Sequence, residues 1–186
     1  MLVHIALPVL VAALFVFVSS SLIHMVFKWH QSDYAKLADE DAVRAALRGS
    51  APKPGQYMLP YCGDMKDLQS PEMQAKWKEG PVATLHVQRN GLPNMGPMLG
   101  KWFALNVVVA ALVAAVVYSS MGIAIIDSHR LFHVAALVSF LAYAVGSVSN
   151  GIWKAQTASS VGKDLLDALI YGLVSGFAFA WLWPTG

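Results

Sequence analysis

The stretch Gly162–Pro184, GKDLLDALIYGLVSGFAFAWLWP, carries two aspartates, Asp164 and Asp167, near its start and then runs apolar almost to its end. An apolar run of this length is what a helix needs to cross the roughly 30 Å of hydrocarbon in a bilayer, about 20 residues. Three more runs match it: Ile5 to Phe27, Trp102 to Met121 and Leu131 to Val148, with the last counted as Leu165 to Trp183. Lipid offers no hydrogen bonds to the backbone, so each run is expected to be a continuous helix. The runs lack the period-two alternation of a transmembrane barrel.

Composition agrees. The 186 residues are 56% hydrophobic and 13% charged, against about 25% charged in an ordinary soluble domain. The fold class expected is an all-α integral membrane protein: four transmembrane helices with a small α+β extramembrane insert between helices one and two. The divisions are 1–28 for the first helix, 29–98 for the polar insert and 99–186 for helices two to four. No Lys or Arg precedes the first apolar run, which favours an uncleaved helix over a signal peptide.

Charge orients the spans. Of the 13 Lys and Arg residues, all but Arg130 lie on or beside the connections 29–101 and 149–164. Basic residues stay on the cytoplasmic side, a rule that weakens for connections longer than about 60 residues. The expectation is termini outside and insert in the cytoplasm. Trp29, Trp102 and Trp153 would mark one interface, and Trp181 and Trp183 the other.

Within the insert, LADEDAVRAALRG reads as a helix capped by Asp39 and stopped at Gly49, and QSPEMQAKWKEGP as a helix capped by Ser70 with Pro71 at its first position and Gly80 and Pro81 at its end. PVATLHV alternates like a strand, with GQYMLP as its partner. Eight basic and eight acidic residues interleave between 29 and 97, which is not the footprint of a nucleic-acid-binding surface. So small an insert, with one cysteine in the whole chain (Cys62), has little core of its own. Cys62 near His86 carries no nucleophile signature, and no Walker loop, G-x-S-x-G, H-E-x-x-H or dinucleotide fingerprint occurs. The chain therefore does not read as an enzyme.

Chemistry, if any, lies in polar residues on the apolar helices. Asp164, Asp167, Tyr171 and Ser175 share one helix face. Beside them runs a ladder of small residues, Ala168, Gly172, Gly176 and Ala180, whose G-x-x-x-G portion admits a close neighbour. Parity brings His24, Asn106, Tyr143, Ser147 and Asp167 to the same half of the bilayer. These residues are expected to converge, with His24, Asn106 and Tyr143 as candidate partners of Asp167. One reading is a proton- or cation-binding site open to the cytoplasmic side. The other is structural: the aspartates favour the positive end of the helix dipole, and the remaining groups are interhelical hydrogen-bonding glue.

At the opposite end, His129 and His133 lie four residues apart on helix three, with Asp127 as N-cap. Two such imidazoles can share zinc or copper or flank a haem edge, with His4 and Met121 as further donors near the same face. No cofactor is required by any motif. His24, about 30 Å from His4 along helix one, cannot join that pair.

The runs GIWKAQTASSVGKDLLDALIYGLVSGFAFAWLWP (151–184) and PEMQAKWKEGPVATLHV (71–87) resemble a group of small bacterial inner-membrane proteins without an assigned function. The resemblance implies a bacterial inner membrane and no particular chemistry. The leading expectation is a non-enzymatic accessory or structural subunit of a larger membrane assembly. The alternatives are a small transporter or ion-coupled component using the polar cluster, and a metal- or haem-binding membrane protein.

Overall fold

A computed structural model describes residues 2–122 and 127–184, with side chains from residue 5 onward. The described chain is mostly helical and divides into two compact units: a helical unit of 1–35 and 94–186, and an insert of 36–93. Residues 29–35 and 94–98, assigned to the insert on polarity alone, group with the helices.

Four long helices build the first unit: α1 (Leu2–Ser21), α4 (Met95–Met121), α5 (Ser128–Trp153) and α6 (Ala158–Leu182). With a short extension of α1, all four are long and apolar enough to cross a membrane. Each begins or ends on local chemistry. Asn94, Asp127 and Thr157 cap α4, α5 and α6 by accepting backbone N–H bonds with their side chains. These polar caps and first turns lie outside the hydrophobic runs. The helices therefore start three to seven residues earlier than hydropathy indicates, α6 at Ala158 in place of Leu165.

The helices pack in a ring, α1 against α4 and α6, and α5 against α4 and α6, with the α5–α6 pairing the most extensive. That pairing is antiparallel and close. A Cβ on Gly172 would lie 2.8 Å from the Ala136 carbonyl oxygen, and one on Gly176 2.8 Å from that of Phe132. The G-x-x-x-G of α6 thus faces α5, where only hydrogen fits.

The bundle buries small side chains: Ala12, Ala13, Ala110, Ala114, Ala135, Ala168 and Ala178 are at most 5% exposed. Large apolar residues point out at helical spacing on all four members. The stripes are Leu7, Leu10, Leu14 and Val18; Leu105, Val108, Leu112 and Val116; Leu137, Leu141, Val145 and Val148; and Leu166, Leu169, Leu173 and Phe177.

The insert contains α2 (Glu40–Ser50), β1 (Gly55–Leu59), α3 (Pro71–Glu79) and β2 (Ala83–Val87). The strands pair antiparallel from Gly55 opposite Val87 to Leu59 opposite Ala83. Asp39 and Ser70 cap the two helices. Gly80, at φ 68°, ends α3, a conformation that costs glycine little. Gly49 does not stop α2, which continues to Ser50 and closes on Ala51 at φ 46°. No residue from 36 to 93 is buried.

Candidate functional site at one end of the bundle

The site begins with a break in α1. Ser20 and Ser21 both donate to the Phe17 carbonyl, at 2.9 and 2.8 Å, a back-bond that competes with the backbone for that acceptor and loosens the helix. Leu22–Phe27 then forms a π-helical turn, closed by the Lys28 N–H on the Ile23 carbonyl at 2.8 Å. Lys28 adopts φ 56°, in the left-handed region, and ends the helix at a 3₁₀ turn, Trp29–Asp33. The turn sets Trp29, His30 and Asp33 against α6.

Three side chains converge on Asp167, which is 6% exposed. The Trp29 indole N–H donates to Oδ1 at 3.0 Å. His30 Nε2 lies 3.0 Å from Oδ2, and His24 Nε2 lies 3.7 Å from the same oxygen. On its other side His30 Nδ1 meets Asp33 Oδ2 at 2.7 Å. Asp33 is in turn held by Lys163 Nζ, which also donates to the Trp29 carbonyl at 2.9 Å and the Ser32 hydroxyl at 2.7 Å. Lys163 thus uses all three of its N–H donors to pin the turn to α6.

His30 lies between two carboxylates, and its electrostatics follow. Burial alone lowers its pKa, but the hydrogen bonds and charges of Asp33 and Asp167 outweigh that, and the value rises. A neutral imidazole has one N–H and one lone pair, so one of its two carboxylate contacts would set a lone pair against an anion. Positive charge at this position relieves that conflict. Asp33 is shifted the other way: the Lys163 hydrogen bond foremost, then His30, lowers its pKa against the opposing effect of burial.

Asp164 lies one turn earlier on α6. It accepts from Gln156 Nε2 at 2.7 Å and lies 4.0 Å from His30 Nδ1. Neither aspartate stands in the first turn of α6: Asp167 is nine residues in, about 14 Å along the axis. The helix-dipole explanation for their position therefore fails, since that effect fades within the first turn.

The other expected members are placed as follows. Asn106 and Tyr143 pair with one another, Tyr143 donating to Asn106 Oδ1 at 3.0 Å, and neither reaches Asp167 directly. Tyr143 meets Tyr171 edge to face with ring centroids 5.3 Å apart, and Tyr171 interacts electrostatically with Asp167. Trp102 packs beside both tyrosines and donates to Ser20 at 2.8 Å. Ser147 is half-buried, with no side-chain hydrogen bond among the described residues. Ser175 is buried two turns beyond Asp167. Gly172 and Gly176 line the α5-facing side of α6, not the site, with Ala168 and Ala180 at the same four-residue spacing.

His129 and His133 touch, Nε2 to Nε2, at 3.1 Å and are exposed. Among the described residues no third His, Cys, Asp or Glu joins them. The His4 side chain lies outside the described residues, and Met121 packs against the hydrophobic core.

Reading the sequence missed Trp29, His30, Asp33 and Lys163. The spacing of His30 and Asp33 in WHQSD is a local signal, but its polarity groups it with the insert and nothing local ties it to α6. The chain matches no protein-family model, no curated protein and no solved structure.

Proposed function

We propose that the chain is an integral membrane protein, and that the centre around Asp167 makes it an ion-coupled component that takes up a cation at one membrane face. The membrane reading is supported by the inverted packing of the bundle, small residues inside and continuous stripes of Leu, Val and Phe outside. In water such stripes would be a large exposed apolar surface, whereas lipid solvates them. The basic residues flanking the insert support a cytoplasmic position for that face, and with it for the site, in a bacterial inner membrane.

One observation carries the functional reading. Asp167 is buried within an apolar helix, and among the described residues its carboxylate is paired with no Lys or Arg, only with imidazoles, an indole and the Tyr171 phenol. An ionisable group costs at least about 2.5 kcal/mol at the centre of a membrane segment, and one inside such a segment marks an ion or proton pathway by default. Lys163, the nearest ammonium in the network, is committed to Asp33. The Asp167 centre is thus built to receive positive charge from outside.

Reconstituted vesicles loaded with pH- and metal-sensitive dyes test this. Wild-type protein should conduct a cation and Asp167→Asn should not. Equal flux in both, or none above empty vesicles, overturns the reading.

The insert favours a second reading, that of an accessory subunit of a larger membrane assembly. Residues 36–93 bury no side chain, which suits a module completed by a partner. Gentle purification from native membranes should then yield a stoichiometric companion protein. Recovery of a lone chain or a homo-oligomer removes this alternative.

A further inference from the structure

We infer that His24, His30 and Asp167 form a binding site for a divalent transition-metal ion of the zinc class, and that this ion is the cation of the centre. The inference rests on the ion-coupled reading for its physiological use but not for the binding itself. One ligand atom from each of the three residues lies within 4.8 Å of the others. Two ligands sharing one zinc, with bonds of about 2.0–2.2 Å, stand about 3.0–3.5 Å apart. His30 Nε2 and Asp167 Oδ2 already have that separation, at 3.0 Å. His24 Nε2, at 3.7 Å from Oδ2, closes it with a movement well under its own ring width.

His24 is the informative member. It is half-exposed and makes no hydrogen bond among the described residues, yet its ring is directed at Asp167 and stands 4.8 Å from the His30 ring, tilted by 32°. Hydrogen bonding does not account for that placement, since 3.7 Å is too long. Two imidazoles beside one carboxylate oxygen are instead a facial N₂O donor set. Imidazole-rich sets of this kind suit zinc, iron, nickel and copper over magnesium or calcium.

The surroundings are those of an orienting shell. Asp33 fixes His30 through Nδ1, which leaves Nε2 to face the ion, the carboxylate–histidine–metal arrangement. Trp29 holds Asp167 Oδ1, which leaves Oδ2 as the ligand atom. Three carboxylates (Asp33, Asp164, Asp167) and one ammonium (Lys163) surround the two imidazoles. With both rings neutral this leaves two net negative charges, matched by a dication. Three protein ligands leave coordination positions open, and the exposed His24 edge provides the way in.

The test uses the full-length protein in detergent micelles, stripped with chelator and titrated with cobalt(II) and then zinc(II). Wild type should bind one cobalt with visible d–d bands that one zinc abolishes. His24→Gln, on an exposed side chain that the fold does not need, should lose the bands, and Asp33→Asn should weaken binding about 10–100-fold. His129→Ala/His133→Ala should change nothing. Absence of stoichiometric binding, or binding lost in the His129/His133 variant and kept in His24→Gln, overturns the inference. Asp167-dependent flux without cobalt or zinc binding refutes the metal and leaves the ion-coupled reading. Binding without flux does the reverse.

Discussion

Lys163 and Asp33 form an ion pair across 130 residues of sequence, Nζ to Oδ1 at 2.5 Å, and through it α6 holds the turn that follows α1. The contacts of Trp29 and His30 with Asp167 are made from that turn. Trp29 and His30 reach Asp167 because the turn lies against α6.

Replacing Lys163 by Met should therefore free the turn without unfolding the bundle. Hydrogen–deuterium exchange should rise across 28–35 while α5 and the rest of α6 keep their protection. Unchanged exchange in that segment would show that the turn is held by something other than this lysine.

The two glycines of α6 set the distance to α5. A methyl group on Gly172 or Gly176 meets backbone oxygen at 2.8 Å, so the helices must separate. Gly172→Ala and Gly176→Ala should each destabilise the bundle by about 1–3 kcal/mol, as overpacking does. Gly146→Ala, where a Cβ meets nothing within 4 Å, is the control. Denaturant titration in mixed micelles measures both.

Polar atoms inside the bundle are not all matched. The Ser139 hydroxyl and Asn106 Nδ2 are buried without a hydrogen-bond partner among the described residues. Ser139→Ala should thus be neutral or stabilising. Tyr143→Phe, which strips Asn106 Oδ1 of its donor, should cost about 1–3 kcal/mol. Melting of the two variants side by side distinguishes them, and a larger loss for Ser139→Ala would contradict this accounting.

The metal-free site should depend on pH in two opposite ways. His30 has a raised pKa, so its contribution to stability is complete below the ordinary imidazole range and is lost as pH climbs through the raised value. Asp33 has a lowered pKa, so its contribution is present above the ordinary carboxylate range and is lost as pH falls through the lowered value. The cluster is therefore most stabilising at weakly acidic pH. The groups facing His30 are Asp33 on its own turn, Asp164 and Asp167 on α6, and His24 on the π-helical turn. In chelator, the stability advantage of wild type over His30→Gln should shrink as pH rises past neutrality. A constant difference would mean that His30 is not held by charge.

Local chemistry was legible where it is written in adjacent residues. Asp39, Ser70 and Asp127 cap their helices as their side chains dictate, and β1 and β2 pair as their alternation suggests. Helix starts were less legible, because hydropathy registers only the apolar length. Thr157 and the polar first turns of α6 carry the helix upstream of anything a hydrophobic run detects. Of the site, parity alone brought His24 to the level of Asp167, while Asn106 and Tyr143, candidate partners of Asp167 by the same parity, bond to one another.

By itself the sequence determined four long apolar helices, their polar inner faces and the end of the bundle where ionisable groups gather, since these follow from periodicity and from the direction in which each segment runs. Only the tertiary structure decided which groups meet. A π-helical turn and a left-handed Lys28 end α1 in a 3₁₀ turn, and that turn delivers Trp29, His30 and Asp33 to α6. Contacts made across more than 130 residues are selected by the packing of helices, and no pattern within a single segment encodes them.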